Sequence, residues 1–503
     1  MRKIGRWLMI LCLVLCACGT GESHIEQPQG EQSQAENENA GKKLKVYISY
    51  NGTVTTTDGV MQLSGPTCTV GGMGISDELV YINLIEQFAE ENDIELDLAY
   101  GKVQDQMSRP ITYYDVLIGN TYEAGFFDLF LHEMLQGDYL MDMTPLAKED
   151  VLYGGTYIEP IMKAGKVDER QLIFPLSFNL NMLYTSEESL DRHEMNISAD
   201  STFDELIDAF AGGWNQANDT VYLFQPNYSP YLGTFYCEPT PYQTFLLAGG
   251  SAMEIDEHVN LIKLYESFMV SDLNSNLDDI RLHADLQDEY GYGIAEMWVD
   301  NANTWRLEAA ANPSAFEIMQ EQVACYTSGN TYNEVCPFVM QTMYYESLYR
   351  EIGEDFTPIA IPEKDKAKAY QAIISNYGII PKDSTEPELA FELLQYLASA
   401  EISPLYDLPV NKEQITKTLS TLQSTDLTVV DHFTFDVYTM QPLSEETASY
   451  LQEVIDHIDH AVLFDNKLWY DRNQVLAQYI LGTMELHAAA QQMIEIDKIE
   501  RGE

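Results

Sequence analysis

LKVYI (residues 44–48), ELVYINLIEQFAEE (78–91) and IELDLAY (94–100) follow one another along the chain, and their order decides the fold class. The first and third alternate along the chain and are rich in residues that suit a pleated surface, which predicts strands. The middle segment spaces its apolar residues by three and four, which predicts an amphipathic helix. Strand, helix, strand in succession is the signature of an α/β unit. A Gly- and Thr-rich loop from Asn51 to Ser76 separates the first strand from the helix and is long for such a connection.

Downstream, the pattern continues to mix strands and helices. FDLFL (127–131) predicts a short apolar strand, and LIFPLSFNLNMLY (172–184) a long strand region broken by Pro175. Thr202, with Glu205 three residues on, predicts a capped helix start. FLLAGGSAM (245–253) reads as a helix end stopped by glycine, followed by a helix over 259–269. Strands are predicted over 293–299, 356–362 and 372–381, and a helix over 387–399 with proline at its start. Residues 444–500 read as mostly helical by period.

Upstream lies MRKIGRWLMILCLVLCACG. Arg2, Lys3 and Arg6 precede an apolar run of ten residues, the pattern of a signal peptide and too short to span a bilayer. The run ends at Leu15-Cys16-Ala17-Cys18, which resembles a bacterial lipobox with Cys18 as the acylated residue. Residues 18–43 then have almost no apolar content and predict a disordered tether. Acyl chains on Cys18 would anchor the protein to a membrane, each buried CH₂ adding about 0.8 kcal/mol.

The chain has 503 residues, 45% of them hydrophobic, and a formal charge of −53. That length allows two or three domains, and the charge disfavours nucleic acid and anionic lipid as partners. It favours a neutral or cationic small molecule. Outside the leader and Cys18, only Cys68, Cys237, Cys325 and Cys336 remain. Disulfides are possible in an extracytoplasmic compartment, and four cysteines leave three connectivities open. Cys325 with Cys336 closes the shortest loop and is the first candidate. No Cys/His cluster has metal-site spacing, and no nucleophile-elbow, zinc-protease or phosphate-loop motif occurs. No metal or cofactor is expected, nor an enzymatic activity.

Five ordered stretches resemble the extracellular solute-binding proteins of the maltose-binding-protein type, from about residue 44 to the C-terminus. FDLFL with LQGDYLMDMTPL resembles the entry into the first lobe, and RQLIFPLSFNLNMLYTSEESL the first crossing between lobes. GIAEMW resembles a strand of the family, AIISNYGIIPKDSTEPELAFELLQYLAS the second crossing with its helix, and LSEETASYLQEVIDHIDHAVLFD a segment common in Gram-positive members. The long 51–77 loop and residues 306–355 depart from the pattern.

The resemblance implies two α/β lobes with a ligand cleft between them and a mostly helical C-terminal part. Residues 44–178 and 376–412 would form the first lobe, and 179–375 with 413–503 the second. It implies a monomeric, lipid-anchored binder outside the cytoplasmic membrane of a Gram-positive bacterium, passing a soluble nutrient to ABC permease subunits. A mono- or oligosaccharide is the expected ligand. A peptide, polyamine or other cationic solute on the same fold remains open, as does a glycan-active enzyme or surface scaffold. Sugar sites combine aromatic faces with amides and carboxylates that satisfy hydroxyls. The aromatic candidates are Trp305, Trp298, Tyr242, Tyr50 and Tyr377. The polar candidates are Asn51, His132, Glu133, Asn179, Asn181, Asp300 and Asn376, at strand ends or on the two crossings.

Overall fold

The computed structural model describes residues 39–49, 53–57, 60–64, 77–101, 110–120, 134–135, 137–147, 151–167, 169–180, 182–185, 187–192, 195–214, 227–229, 234–236, 253–272, 339–341, 357–366, 368–400, 407–424, 427–430, 437–440, 442–463, 471–472, 474–476, 478–479 and 482–500. The opening unit forms as predicted: β1 (Lys43–Ser49), helix α1 (Asp77–Glu91) and β2 (Glu95–Gly101), with β1 and β2 parallel neighbours. Asp93 takes φ +53° in the turn between α1 and β2, a conformation Asp tolerates better than most residues. Parallel strands need a crossover, and α1 supplies it, burying Tyr81, Ile82, Ile85 and Phe88. β3 (Val116–Asn120) adds to the other side of β1, also parallel.

The sheet then grows by strands of opposite direction. β4 (Phe174–Leu180) runs on into β5 (Met182–Thr185). β6 (Val339–Gln341) and β7 (Thr357–Ala360) flank β5, both antiparallel, in a separate three-stranded sheet. β8 (Tyr370–Ile379) lies antiparallel between β4 and β3. A short β9 (Leu408–Pro409) borders β4, and β10 (Ile458–Leu463) pairs with the first half of β8 in parallel. The main sheet therefore runs β9-β4-β8-β3-β1-β2, with β10 attached to β8.

Pro175 does not break the strand as the sequence suggests. It sits opposite Tyr377, where the register between β4 and β8 slips and one residue of β4 is passed over. A bulge is one of the few places where a sheet accepts a residue without an N–H. The other departure is β10. Its sequence, IDHAVL, lies in a stretch that reads as helical by period, yet five of its residues pair with β8. Pairing to a buried strand outweighs weak local preference.

Two hydrophobic cores result. The first gathers β1, β3, β4, β8 and their helices: α1, α2 (Glu159–Ala164), α5 (Pro387–Ser399), α6 (Lys412–Ser424) and α7 (Glu445–Asp456). The second gathers Leu183 of β5, Ile359 of β7, α3 (Phe203–Trp214), α4 (Ile255–Asp272) and α8 (Leu486–Glu500). Ile415, Leu419, Leu451 and Val454 thus pack into the first core, although they lie in the 413–503 segment expected with the second lobe. By contact, residues 41–503 form one compact unit containing both cores.

Local signals hold where they are strong. α5 begins with Pro387 in its first turn and ends at Ser399, the predicted bounds, and buries seven apolar side chains. Each fully buried Leu or Phe among them contributes roughly 1.5–3 kcal/mol. The Thr202 cap is reciprocal: Glu205 N donates to Thr202 Oγ1 at 3.3 Å, and Thr202 N donates to Glu205 Oε2 at 2.8 Å. Among the described residues, no helix is long and apolar enough to cross a membrane.

Candidate functional site

β8 is buried along all ten residues, with Ser375 and Asn376 at its centre. β4 beside it is equally buried and carries Ser177 and Asn179. Polar side chains in such surroundings must be hydrogen-bonded to each other or to something bound. Both strands belong to the sheet around which the chain passes between its two cores, β4 through β5 and β7 through β8.

The partners converge on one carboxylate. Asp407, just ahead of β9, accepts from Asn179 Nδ2 through Oδ1. Its Oδ2 accepts from Asn376 Nδ2 at 2.9 Å and from the Ser177 hydroxyl at 3.2 Å. Asn376 Nδ2 also donates to Ser177 Oγ at 2.8 Å, and Asn179 Nδ2 to Ser375 Oγ at 2.8 Å. All five residues are buried. Asn179 Oδ1 is buried too and has no hydrogen-bond partner among the described residues.

The cluster sits near the C-terminal ends of β1 and β3, since Asn376 pairs with Asn120, the last residue of β3. Crevices at strand ends are where open α/β sheets bind ligands. The Ser177 oxygen accepts from one amide and donates to a carboxylate, which fixes its position and does not prepare it as a nucleophile.

Of the candidate residues read from the sequence, the structure brings Asn179 and Asn376 together through Asp407. Tyr377 is fully buried in the first core. Tyr50, Asn51, His132, Glu133, Asn181, Tyr242, Trp298, Asp300 and Trp305 lie outside the described residues, as do Cys18, Cys325, Cys336 and the predicted strands over 127–131 and 293–299. The sequence reading missed Ser177, Ser375 and Asp407. Ser177 had a signal, two positions before Asn179 in an apolar strand and so on the same face. Asp407 had none, being one of 80 acidic residues.

Two further ionic groups lie outside this cluster. In the second core, Asp497 of α8 lies 2.9 Å from Arg472 Nη2 and 3.3 Å from His258 Nε2 of α4, all three buried. At the edge of β10, Glu363, Asp459 and His460 bring potential metal-ligand atoms within 4.8 Å of one another. Lys366 Nζ lies 2.8 Å from Glu363 and pairs with Asp459, so an ammonium group already supplies positive charge there.

No protein-family model and no curated protein sequence matches the chain. Solved structures do. A sugar transporter from Rhizobium etli, crystallised in an open conformation, aligns over 91% of this chain and 99% of its own, with a TM-score of 0.52 and 11% identity. A cyclic alpha-maltosyl-1,6-maltose binding protein from Arthrobacter globiformis aligns over 92% and 100%, with a TM-score of 0.48 and 11% identity. An ABC transporter solute-binding protein from Thermotoga lettingae bound with alpha-D-tagatose aligns over 91% and 100%, with a TM-score of 0.46 and 13% identity. At these identities the likeness is one of architecture, and the first comparison carries it. Its agreement with the doubly cored α/β arrangement leads to one conclusion: the chain has the two-lobe fold of the periplasmic-binding-protein-like proteins.

Proposed function

We propose that this protein is the substrate-binding lipoprotein of an ABC importer. It captures a mono- or oligosaccharide by hinge closure and hands it to membrane permease subunits. The observation that carries the reading is the buried amide and carboxylate cluster on the crossing strands, in a fold shared with a sugar transporter. Sugar hydroxyls need dense arrays of donors and acceptors, and the spare Asn179 Oδ1 suits a hydroxyl donor.

In this reading Asn179 and Asn376 form the polar floor, with Asn181, Tyr50, Asn51, His132, Glu133 and Asp300 around it. Trp305, Trp298 and Tyr242 supply the aromatic surface; Tyr377, packed in the first core on the face of β8 opposite to Asn376, does not. Cys18 carries the lipid, and the protein works as a monomer outside the cytoplasmic membrane; the tether expected over 18–43 ends by residue 40, because Gly41 opens the compact unit and Lys43 is already in β1. Cys325 and Cys336 pair. The ligand is bound and released unchanged, and closure follows because it contacts the closed state preferentially.

A thermal-shift screen tests this. A saccharide at 100 times its Kd should add about 2.7 kcal/mol to stability. Replacing Trp305 by Ala should weaken binding by about 1–3 kcal/mol, the scale for losing a packed aromatic. The formal charge of −53 favours a second reading, a cationic solute such as a polyamine or basic peptide. Stabilisation by those compounds and by no sugar would select it.

A further inference from the structure

The segment between β7 and β8 carries Lys364, Lys366 and Lys368 within five positions, three of only 27 basic residues in the chain. In a molecule of charge −53 such a concentration calls for an explanation, and the partners supply one. Lys364, 11% exposed, pairs with Glu257 of α4 in the second core and lies 3.1 Å from Asp365. Lys366 pairs with Glu363 at 2.8 Å and with Asp459 of β10, in the sheet of the first core. Lys368 lies 2.6 Å from Glu453 of α7, in the first core, and 3.7 Å from Asp200, in the turn ahead of α3 in the second. A neutral tie spans the same junction: Ala360 N of β7 donates to Tyr450 Oη of α7 at 2.8 Å, and that hydroxyl lies 3.4 Å from Ala199 O.

We propose that the 363–368 loop is an ionic clasp across the junction of the two lobes, and that Lys368, shared between Glu453 and Asp200, sets their resting angle. Lys364 fastens the loop to the second core and Lys366 fastens it to the first. The loop therefore cannot follow both sides when they rotate. α7 and the 199–200 turn belong to opposite cores, so a rotation about the crossing strands changes the separation of Glu453 and Asp200. Lys368 keeps both carboxylates within reach only over a narrow range of angle. Contacts that differ between two states are the ones that move the equilibrium between them.

The ionisation of the groups agrees with this placement. Hydrogen bonding to Glu453 holds the Lys368 ammonium above its ordinary value, and Lys368 in turn holds the Glu453 carboxyl below the usual range. Burial pushes Glu363 upward, but hydrogen bonds from His460 and Lys366 outweigh it and leave that carboxyl below its ordinary value. Lys368 and Glu453 are half exposed, so salt should weaken their pairing, while the shielded Lys364–Glu257 pair resists it.

The test is a distance measurement on the full chain without ligand. Spin labels go on Thr416 of α6 and Gln491 of α8, exposed positions on opposite cores, through a ketone-bearing residue that spares the cysteines. The distance distribution is compared in wild type, Lys368→Met and Asp200→Asn, with Lys163→Met as a control whose Glu159 partner lies in the same helix. We expect both junction variants to broaden the distribution and move its mean by several ångströms, high salt to do the same to wild type, and the control to change nothing. Distributions matching wild type in both folded junction variants would overturn the clasp. The inference rests on the two-lobe fold alone, so a protein that bound no sugar would test it equally well.

Discussion

Replacing Asp407 by Ala removes the acceptor on which three buried donors depend: the amides of Asn179 and Asn376 and the hydroxyl of Ser177. A hydrogen bond to a charged acceptor contributes about 1.5–3 kcal/mol, and a donor left buried without a partner costs about 1–3 kcal/mol. The full sum is not realised, because deleting a buried carboxylate also relieves its desolvation. Asn376 keeps Ser177 Oγ and Asn179 keeps Ser375 Oγ, which softens the loss further. The net expectation is a loss of about 2–4 kcal/mol, the cost of leaving neutral buried donors short of an acceptor, since no buried charge remains. Asp407→Asn should cost nearly as much, since donors approach both carboxylate oxygens and the new NH₂ must face one of them. Ser177→Ala, which deletes a single bridging hydroxyl, should cost about 1 kcal/mol. Urea unfolding followed by circular dichroism gives all three values. An Asp407→Ala loss below about 1 kcal/mol would show that the network contributes little and would refute the reasoning.

Three other outcomes are expected. A methyl group added at Gly165 would stand 2.1 Å from the Ile173 carbonyl oxygen, where only backbone movement can relieve the clash. At Gly378 it would meet the Cδ2 of Leu394 at the same distance, and that side chain can shift. Gly165→Ala should therefore lose about 3 kcal/mol or more and Gly378→Ala about 1–3 kcal/mol in the same urea assay, and the reverse ranking would count against the packing described. Thr202→Ala removes half of a reciprocal cap and should cost about 1 kcal/mol, with α3 exchanging its first amides faster.

The carboxyls of Glu159, Glu453, Asp459 and Glu495 are held below their ordinary values by hydrogen bonds from lysines, and that of Glu205 by the Thr202 backbone N–H. The folded chain then binds fewer protons than the unfolded one across the carboxylate range. The stability these groups add is present above that range and is lost as pH falls through the lowered values. Self-repulsion of the acidic chain works the other way and relaxes toward its isoelectric point near 4.2. Melting temperature should therefore peak in mild acid and drop steeply below about pH 4, and a melting temperature that kept increasing as the pH was lowered through that region would contradict the assignment.

The sequence alone determined whatever depends on near neighbours. Alternation marked β1 and β2, period and a leading proline marked α5 to the residue, and Thr202 with Glu205 marked the start of α3. Each signal lies within a few positions of the structure it specifies, so it survives in a linear reading. Asn179 and Asn376 were singled out by the resemblance of their stretches to the crossings of a known family. Only the tertiary structure decided what those amides touch. Asp407 stands 228 positions from Asn179, and nothing local separates it from the other acidic residues. The same holds for β10, drawn from a helix-like stretch by pairing with β8, and for the core that α6 and α7 join. The partners of Lys364, Lys366 and Lys368 follow the same rule. Contacts between distant segments form only where the fold has already closed the loops between them, and their specificity is carried by geometry that a one-dimensional pattern does not contain.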